Sequence, residues 1–113
     1  MVFTIREDED TNVSGNGTTT LKIDIPQNVT FRIRKIVAKY TGNFKITRLY
    51  DAGAKKDYLV GNLHETHFNE ENGKTLIIDP PIEIRGATSL KVDITDTSGS
   101  TNAIHLAFIG DEQ

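Results

Sequence analysis

The fold class is decided by residues 29–40, which read VTFRIRKIVAKY. Apolar side chains occupy every second position up to Ile33, and polar or charged side chains fill the positions between them. This period of two predicts a β-strand with one buried face. The alternation changes phase at Arg34 and Lys35 and resumes over Ile36–Tyr40. Because one extra residue would restore the inward face, a β-bulge is expected near Arg34 and Lys35.

The same alternation recurs along the chain, and the composition agrees with it. Isoleucine, valine and threonine total 33 residues, whereas leucine, alanine and methionine total 14, which is typical of strands and not of helices. Further strands are predicted at Val2–Ile5, Leu21–Ile25, Phe44–Arg48, Tyr58–Leu63, Thr66–Phe68, Thr75–Ile78, Ile82–Ile84, Leu90–Ile94 and Asn102–Ile109. About eight or nine short strands without helices predict an all-β, antiparallel β-sandwich, either a jelly roll or a related Greek key.

The length of 113 residues predicts a single β-sandwich domain over residues 1–113, with the acidic segment 7–17 as a loop. The absence of cysteine excludes disulfides, thiolate metal sites and cysteine nucleophiles. Charges at Arg6–Asp10 stand where a signal peptide needs an apolar core, so we expect synthesis in the cytoplasm of a host cell without a cleaved leader. No window approaches eighteen apolar residues, and no membrane span is expected.

No stretch of the sequence predicts catalysis, a metal site or a cofactor. His64 and His67 are three residues apart, which places them on opposite faces of a strand and fits neither the spacing of a zinc helix nor that of a cupin. A small metal-dependent enzyme would need both histidines to converge with a carboxylate. The glycine-rich Gly15–Gly17 precedes a strand and not a helix, so it is interpreted as a turn and not as a phosphate loop.

Charge is distributed unevenly along the chain. Residues 32–56 hold eight basic residues and one acidic residue, a net charge of +7, while the flanking segments total −10. The predicted basic stripe, on the outer surface of adjacent strands, consists of Arg32, Arg34, Lys35, Lys39, Lys45 and Arg48. It could pair with acidic neighbours inside the monomer or meet the acidic face of an identical copy. Nucleic acid is not an expected partner, because no aromatic residues interleave with the basic ones.

A second interpretation is a carbohydrate-binding or adhesion module. Sugar sites depend on exposed aromatic faces, and the chain has no tryptophan. The residues that could form such a ligand loop are Tyr50, Tyr58, Asp96 and Asn102.

Residues 21–109 resemble small β-sandwich structural proteins of viruses, such as capsid decoration, turret and spike components. The similarity lies in the strand Leu21–Ile25, the hairpin Thr41–Tyr50, the entry Pro80–Ile82, and the ending Ser89–Gly99 followed by Asn102–Gly110. The resemblance implies a jelly-roll-like domain, symmetric oligomers, a place on the particle surface, other virion proteins as partners and no catalysis. It transfers no functional residue to this chain. A non-enzymatic structural protein of a virus particle is therefore the expected function.

Overall fold

The computed structural model describes residues 2–59, 61–64, 68 and 74–113. These residues form nine β-strands in two antiparallel sheets that pack face to face. The strands are β1 (Val2–Val13), β2 (Thr18–Ile25), β3 (Thr30–Tyr40), β4 (Phe44–Asp51), β5 (Lys56–Asp57), β6 (Leu63–His64), β7 (Thr75–Arg85), β8 (Thr88–Asp96) and β9 (Asn102–Glu112). The prediction of an all-β sandwich with eight or nine strands is confirmed.

The strand order is that of a jelly roll. The four-stranded sheet has the order β1-β9-β3-β7, and the five-stranded sheet has the order β2-β8-β4-β5, with β6 paired to β4. Successive strands β1 to β4 alternate between the two sheets, and β7, β8 and β9 do so again. Within each of these two series the chain crosses between the sheets by connections of two to five residues, and two Greek keys in succession are typical of a jelly roll.

The predicted bulge in β3 is present. Against β9 the register shifts between Ile33, which is paired with Gly110, and Lys35, which is paired with Ile109, so Arg34 is the extra residue. Against β7 the register shifts at the same place, but there the additional residues are 78–81 of β7. The shift turns both Ile33 and Ile36 into the core, where each is almost completely buried. Gly110 of β9 is paired with Ile33 at this point, and a Cβ on it would overlap the carbonyl oxygen of Arg32. The bulge therefore depends on a residue without a side chain in the neighbouring strand.

Two expectations about element boundaries are wrong. Residues 7–13 belong to β1, and only residues 14–17 form the turn into β2. The acidic side chains do not prevent strand formation, because Asp8 and Asp10 accept hydrogen bonds from β2. The strands predicted separately at Thr75–Ile78 and Ile82–Ile84 are one strand, β7, which contains Pro80 and Pro81. They stand in the unpaired residues 78–81 of an edge strand, where a missing N–H leaves no ladder bond unmade.

The segment after β4 contains less strand than expected. The described part of Tyr58–Leu63 is a strand only at Leu63, and β5 ends before Tyr58. The predicted strand Thr66–Phe68 lies outside the described residues apart from Phe68, which is buried.

The core lies between the sheets and is built from the inward positions of every long strand. The largest buried side chains include Phe31, Phe44, Phe68 and Phe108, together with isoleucine and leucine from both sheets. The ring of Phe44 packs against Tyr40 at 5.0 Å and against Phe68 at 6.1 Å between centroids. Each such side chain contributes about 1.5–3 kcal/mol on burial, so the fold needs no covalent cross-link.

Candidate functional site

The outer face of the four-stranded sheet, which is turned away from the five-stranded sheet, carries a row of apolar side chains. Ile5 of β1 is paired with Ile109 of β9, Ile109 with Lys35 of β3, and Lys35 with Ile77 of β7. Ile5 is 53% exposed and Ile77 62%, and Phe3, on the same side of β1 as Ile5, is 73% exposed. Exposed apolar side chains that are grouped in this way mark interaction surfaces.

The orientation of β1 is fixed by the side chains that alternate with Phe3 and Ile5. Arg6 forms an ion pair with Glu112 of β9 and donates a hydrogen bond to the carbonyl oxygen of Asp24 in β2. These contacts turn the polar side of β1 toward the neighbouring strands. Phe3 and Ile5 must then point away from the sandwich, because side chains alternate along a strand.

A groove of about 540 Å³ follows the apolar row across the sheet. It runs from Phe3 past Ile109 and Gly110 to Ile77, and Arg34, Lys35 and Asp111 form its polar margin. Asp111 is buried and accepts a 2.7 Å hydrogen bond from Arg34, while its other carboxylate oxygen has no partner among the described residues. The groove is therefore apolar at its centre and charged along one side.

A second groove, of about 690 Å³, continues on the same face and is polar. Glu9 of β1 is paired with His105 of β9, which is paired with Lys39 of β3. The Nε2 atom of His105 lies 3.3 Å from a carboxylate oxygen of Glu7. Its Nδ1 atom is buried and has no hydrogen-bond partner within the described part of the chain.

The outer face thus consists of columns of different character. The column on β1 changes from apolar at Phe3 and Ile5 to acidic at Glu7 and Glu9. The column on β3 is basic, with Lys35 and Lys39 on either side of Val37. Between them lies β9, whose outward residues are small, apolar or aromatic, apart from Asp111 at one end: Ala103, His105, Ala107, Ile109 and Asp111.

The expectation that the basic stripe lies on adjacent strands is wrong. Lys45 and Arg48 belong to β4, which is in the five-stranded sheet, whereas Arg32, Arg34, Lys35 and Lys39 are on β3 in the four-stranded sheet. The two strands follow each other in sequence, but the chain crosses between the sheets at the turn that connects them. The basic residues are consequently divided between two sides of the molecule.

Three of these six residues form ion pairs inside the monomer. The pairs are Arg32 with Glu83 at 3.6 Å, Arg34 with Asp111 at 2.7 Å and Arg48 with Asp57 at 2.8 Å. Lys35, Lys39 and Lys45 have no ion pair to a described residue, and the first two remain on the outer face. Pairing within the monomer therefore explains half of the stripe and leaves the lysines of β3 for other contacts.

The four residues of the possible ligand loop do not form one site. Phe44, at the start of β4, is paired with Asp96, while Tyr50 is six residues further along, a distance of about 20 Å. The ring of Tyr50 is covered by the guanidinium of Arg48 at 4.0 Å. The hydroxyl of Tyr58 donates to the carbonyl oxygen of Glu83, and burial raises its pKa, with a further contribution from nearby acidic groups.

Asp96 and Asn102 are buried and hold loops together. Asp96 accepts hydrogen bonds from the backbone N–H groups of Asn16 and Gly99, from the hydroxyl of Ser98 and from the amide of Asn102. Burial alone would raise the pKa of Asp96, but these hydrogen bonds outweigh burial and hold it well below the ordinary value of a carboxyl group. The side-chain oxygens of both residues are already used, so neither is free to bind a ligand.

No cluster of three or more potential metal ligands occurs among residues 2–59, 61–64, 68 and 74–113. His64 is the final residue of β6, and His67 lies outside the described residues. A site built from both histidines therefore stays untested. Helices long and apolar enough to cross a membrane are absent from the described part of the chain.

Comparison with protein-family models, with curated proteins and with solved structures finds no match to this chain.

The apolar row could not be recognised as a functional feature from the sequence. Phe3, Ile5, Glu7 and Glu9 occupy alternate positions of one strand, so the sequence does indicate that Phe3 and Ile5 share a face with charged residues. Ile77 has no such signal, because Leu76 and Ile78 on either side of it are equally apolar. Only the pairing of the four strands shows that these side chains form one row.

Proposed function

We propose that this chain is a non-catalytic structural subunit that assembles into a larger particle through the outer face of its four-stranded sheet. The observation that carries the proposal is the exposed apolar row, in which Phe3, Ile5 and Ile77 are each more than half exposed. Single exposed apolar side chains are common on monomers, but several grouped on one face are typical of surfaces that bind other proteins. Lys35 and Lys39 of β3, which form no ion pair to a described residue, would add electrostatic selectivity to such contacts.

The setting within this proposal is a virus particle, with the chain as a capsid, decoration or spike component on its surface. Jelly-roll domains are common building blocks of capsids, and the two sheets of this chain have the strand order of that fold. The partners would be further copies of the chain and other virion proteins, without a cofactor. Because the same fold also serves lectins and enzymes, the proposal rests on the exposed face and not on the fold alone.

A carbohydrate-binding function has less support. The ring of Tyr50 is covered by Arg48, and Asp96 and Asn102 are saturated with hydrogen bonds about 20 Å away along β4. Sugar stacking requires an aromatic face that is open to solvent.

The proposal is tested by the association state of the purified chain. Sedimentation and light scattering over a concentration series should show self-association in the wild type. The double variant Phe3→Ser with Ile77→Ser should associate at least about tenfold more weakly, because each buried apolar side chain contributes more than about 1.4 kcal/mol. The control is Thr20→Ser with Thr47→Ser, two exposed positions on the five-stranded sheet. A wild type that stays monomeric up to about 1 mM would overturn the proposal.

The particle setting has its own test in the genes beside the coding sequence. Genes for a portal, a terminase or a major capsid protein would support it, whereas genes for glycan-degrading enzymes would favour the carbohydrate-binding function.

A further inference from the structure

We infer that two copies of the chain pair face to face about a twofold axis that runs along β9, so that β1 of each copy lies on β3 of the other. This inference rests on the proposed function and specifies the partner and the geometry of the contact. It follows from the order of the columns on the outer face of the four-stranded sheet.

The charged columns lie symmetrically about β9. In the order β1-β9-β3, the column with Glu7 and Glu9 and the column with Lys35 and Lys39 lie at equal distances on either side of β9. A twofold axis along β9 exchanges the two columns between the copies. Every acidic column then meets a basic one, and the arrangement repeats itself in the other direction, as an isologous contact requires.

The strand register matches individual residues across this axis. Glu9, His105 and Lys39 are paired in one row, so Glu9 of each copy comes to Lys39 of the other. Lys39 is exposed and has no ion pair to a described residue, and Glu9 is exposed as well. Both side chains are long enough to meet across the roughly 10 Å that separates packed sheets. The contact therefore contains two equivalent ion pairs.

The apolar row meets a groove in the same arrangement. Ile5, Ile109, Lys35 and Ile77 are paired across the sheet, so the same axis brings Ile5 of one copy to Lys35 of the other, beside Ile77. The groove of about 540 Å³ lies at this place, with Lys35 and Ile77 in its wall. The exposed apolar side chain of β1 thus enters an apolar groove, and the aliphatic stem of Lys35 covers it.

The centre of the face permits close approach. Ala107 of β9 lies in the middle row, between Glu7 and Val37, and has only a methyl group. Because the axis runs along β9, the two β9 strands lie parallel, and Ala107 of one copy faces Ala107 of the other. The carboxylates of Asp111 lie at one end of this contact, and each is held by an ion pair to Arg34 of its own copy.

The size of the face sets the strength of the contact. The axis along β9 brings β1, β9 and β3 of the two copies into contact, and three strands of about 4.8 Å width and nine residues of about 3.4 Å give a surface of roughly 15 by 30 Å. Summed over both copies, and with the side chains that project from the sheets included, this corresponds to about 1,000 Å² of buried surface area, which is the lower limit for a specific interface. We therefore expect a weak dimer whose affinity decreases with salt concentration. Weak contacts of this kind can stabilise a particle because they are repeated many times.

The test is a pair of charge reversals that complement each other in trans. Glu9→Lys and Lys39→Glu each place two like charges at both ion pairs, so each variant alone should dimerise at least about tenfold more weakly than the wild type. When the two variants are mixed, both contacts between position 9 of one chain and position 39 of the other again join a lysine to a glutamate. The heterodimer should recover to within about threefold of the wild type.

Lys91→Glu, on the outer side of the five-stranded sheet, is the matched control and should not change association. Circular dichroism and the unfolding midpoint show whether each variant is folded, which exposed positions should permit. A wild type that associates while the mixed variants fail to recover would overturn the twofold pairing and leave the proposed assembly function intact. A wild type that remains a monomer would overturn both.

Discussion

Replacing Asn102 by alanine should strongly destabilise the fold. Asn102 is completely buried where β9 begins and joins two turns. Its Oδ1 atom accepts hydrogen bonds of 3.1 Å from the N–H of Gly42 and from the hydroxyl of Thr41. Its Nδ2 atom donates to the carbonyl oxygens of Gly42 and Asn43 and to Asp96.

The expected loss follows from these contacts. The side-chain amide has two hydrogens and one acceptor oxygen, so it can make about four full hydrogen bonds. Each is worth about 1 kcal/mol net, and the buried carboxylate of Asp96 loses a donor, which costs more than a neutral group. Water can replace part of the bond to Thr41, which is exposed. We expect the free energy of unfolding to fall by about 3–4 kcal/mol, a large part of the roughly 5–15 kcal/mol typical of such domains.

Urea unfolding of the wild type and the variant measures this loss. The midpoint should fall by about 1–3 M with an unchanged slope. Asn43→Ala is the matched control, because Asn43 is exposed and contributes through its backbone carbonyl; it should change stability by less than about 0.5 kcal/mol. A loss below about 1 kcal/mol for Asn102→Ala would refute the view that this hydrogen-bonded cluster stabilises the loops.

Two other substitutions test the same end of the sandwich and the bulge. The folded-state pKa of Asp96 lies below its unfolded value near 3.9, so the unfolded chain takes up a proton first as the pH falls. The free energy of unfolding of the wild type should therefore decrease from about pH 5 downward. Asp96→Asn should be less stable at neutral pH, and urea titrations at several pH values should show that up to one proton of this pH dependence is lost. An unchanged pH profile in Asp96→Asn would contradict the assignment. Gly110→Ala should lower the free energy of unfolding by about 1–3 kcal/mol, because the new methyl group overlaps the carbonyl oxygen of Arg32. Thermal unfolding measures this loss, and an unchanged stability would show that the bulge can relax around the methyl group.

The local pattern of apolar and polar residues was sufficient to predict most of the strands and the bulge, because both depend on which side of the strand is apolar. The phase change at Arg34 is a property of neighbouring residues, and the structure confirms it there. The merging of Thr75–Ile78 and Ile82–Ile84 into β7 was not predictable, since proline is tolerated only where a strand lies at an edge. Whether a strand lies at an edge is decided by distant partners.

The candidate site was predictable only in part for the same reason. The basic residues of β3 were recognised, but their neighbours were assumed to be those of β4, the next strand in sequence. In the sandwich the neighbours of β3 are β7 and β9, which are 35 or more residues away in sequence. The side chains that share a face with Lys35 are therefore Ile77 and Ile109, and no local pattern connects these positions.

The strand order determines where the acidic and basic segments of the chain can form ion pairs. The acidic residues of β1 and the basic residues of β3 belong to segments of opposite net charge, and the jelly roll places β9 between them. If β1 and β3 were direct neighbours, Glu9 and Lys39 would neutralise each other in the monomer. The intervening strand separates the two columns along the sheet, their side chains project side by side from the same face, and Glu9 and Lys39 form no ion pair with each other in the monomer. In the proposed twofold arrangement, the acidic column of each copy lies on the basic column of the other. Because β9 separates the two columns within one chain, their charges remain available for ion pairs between copies.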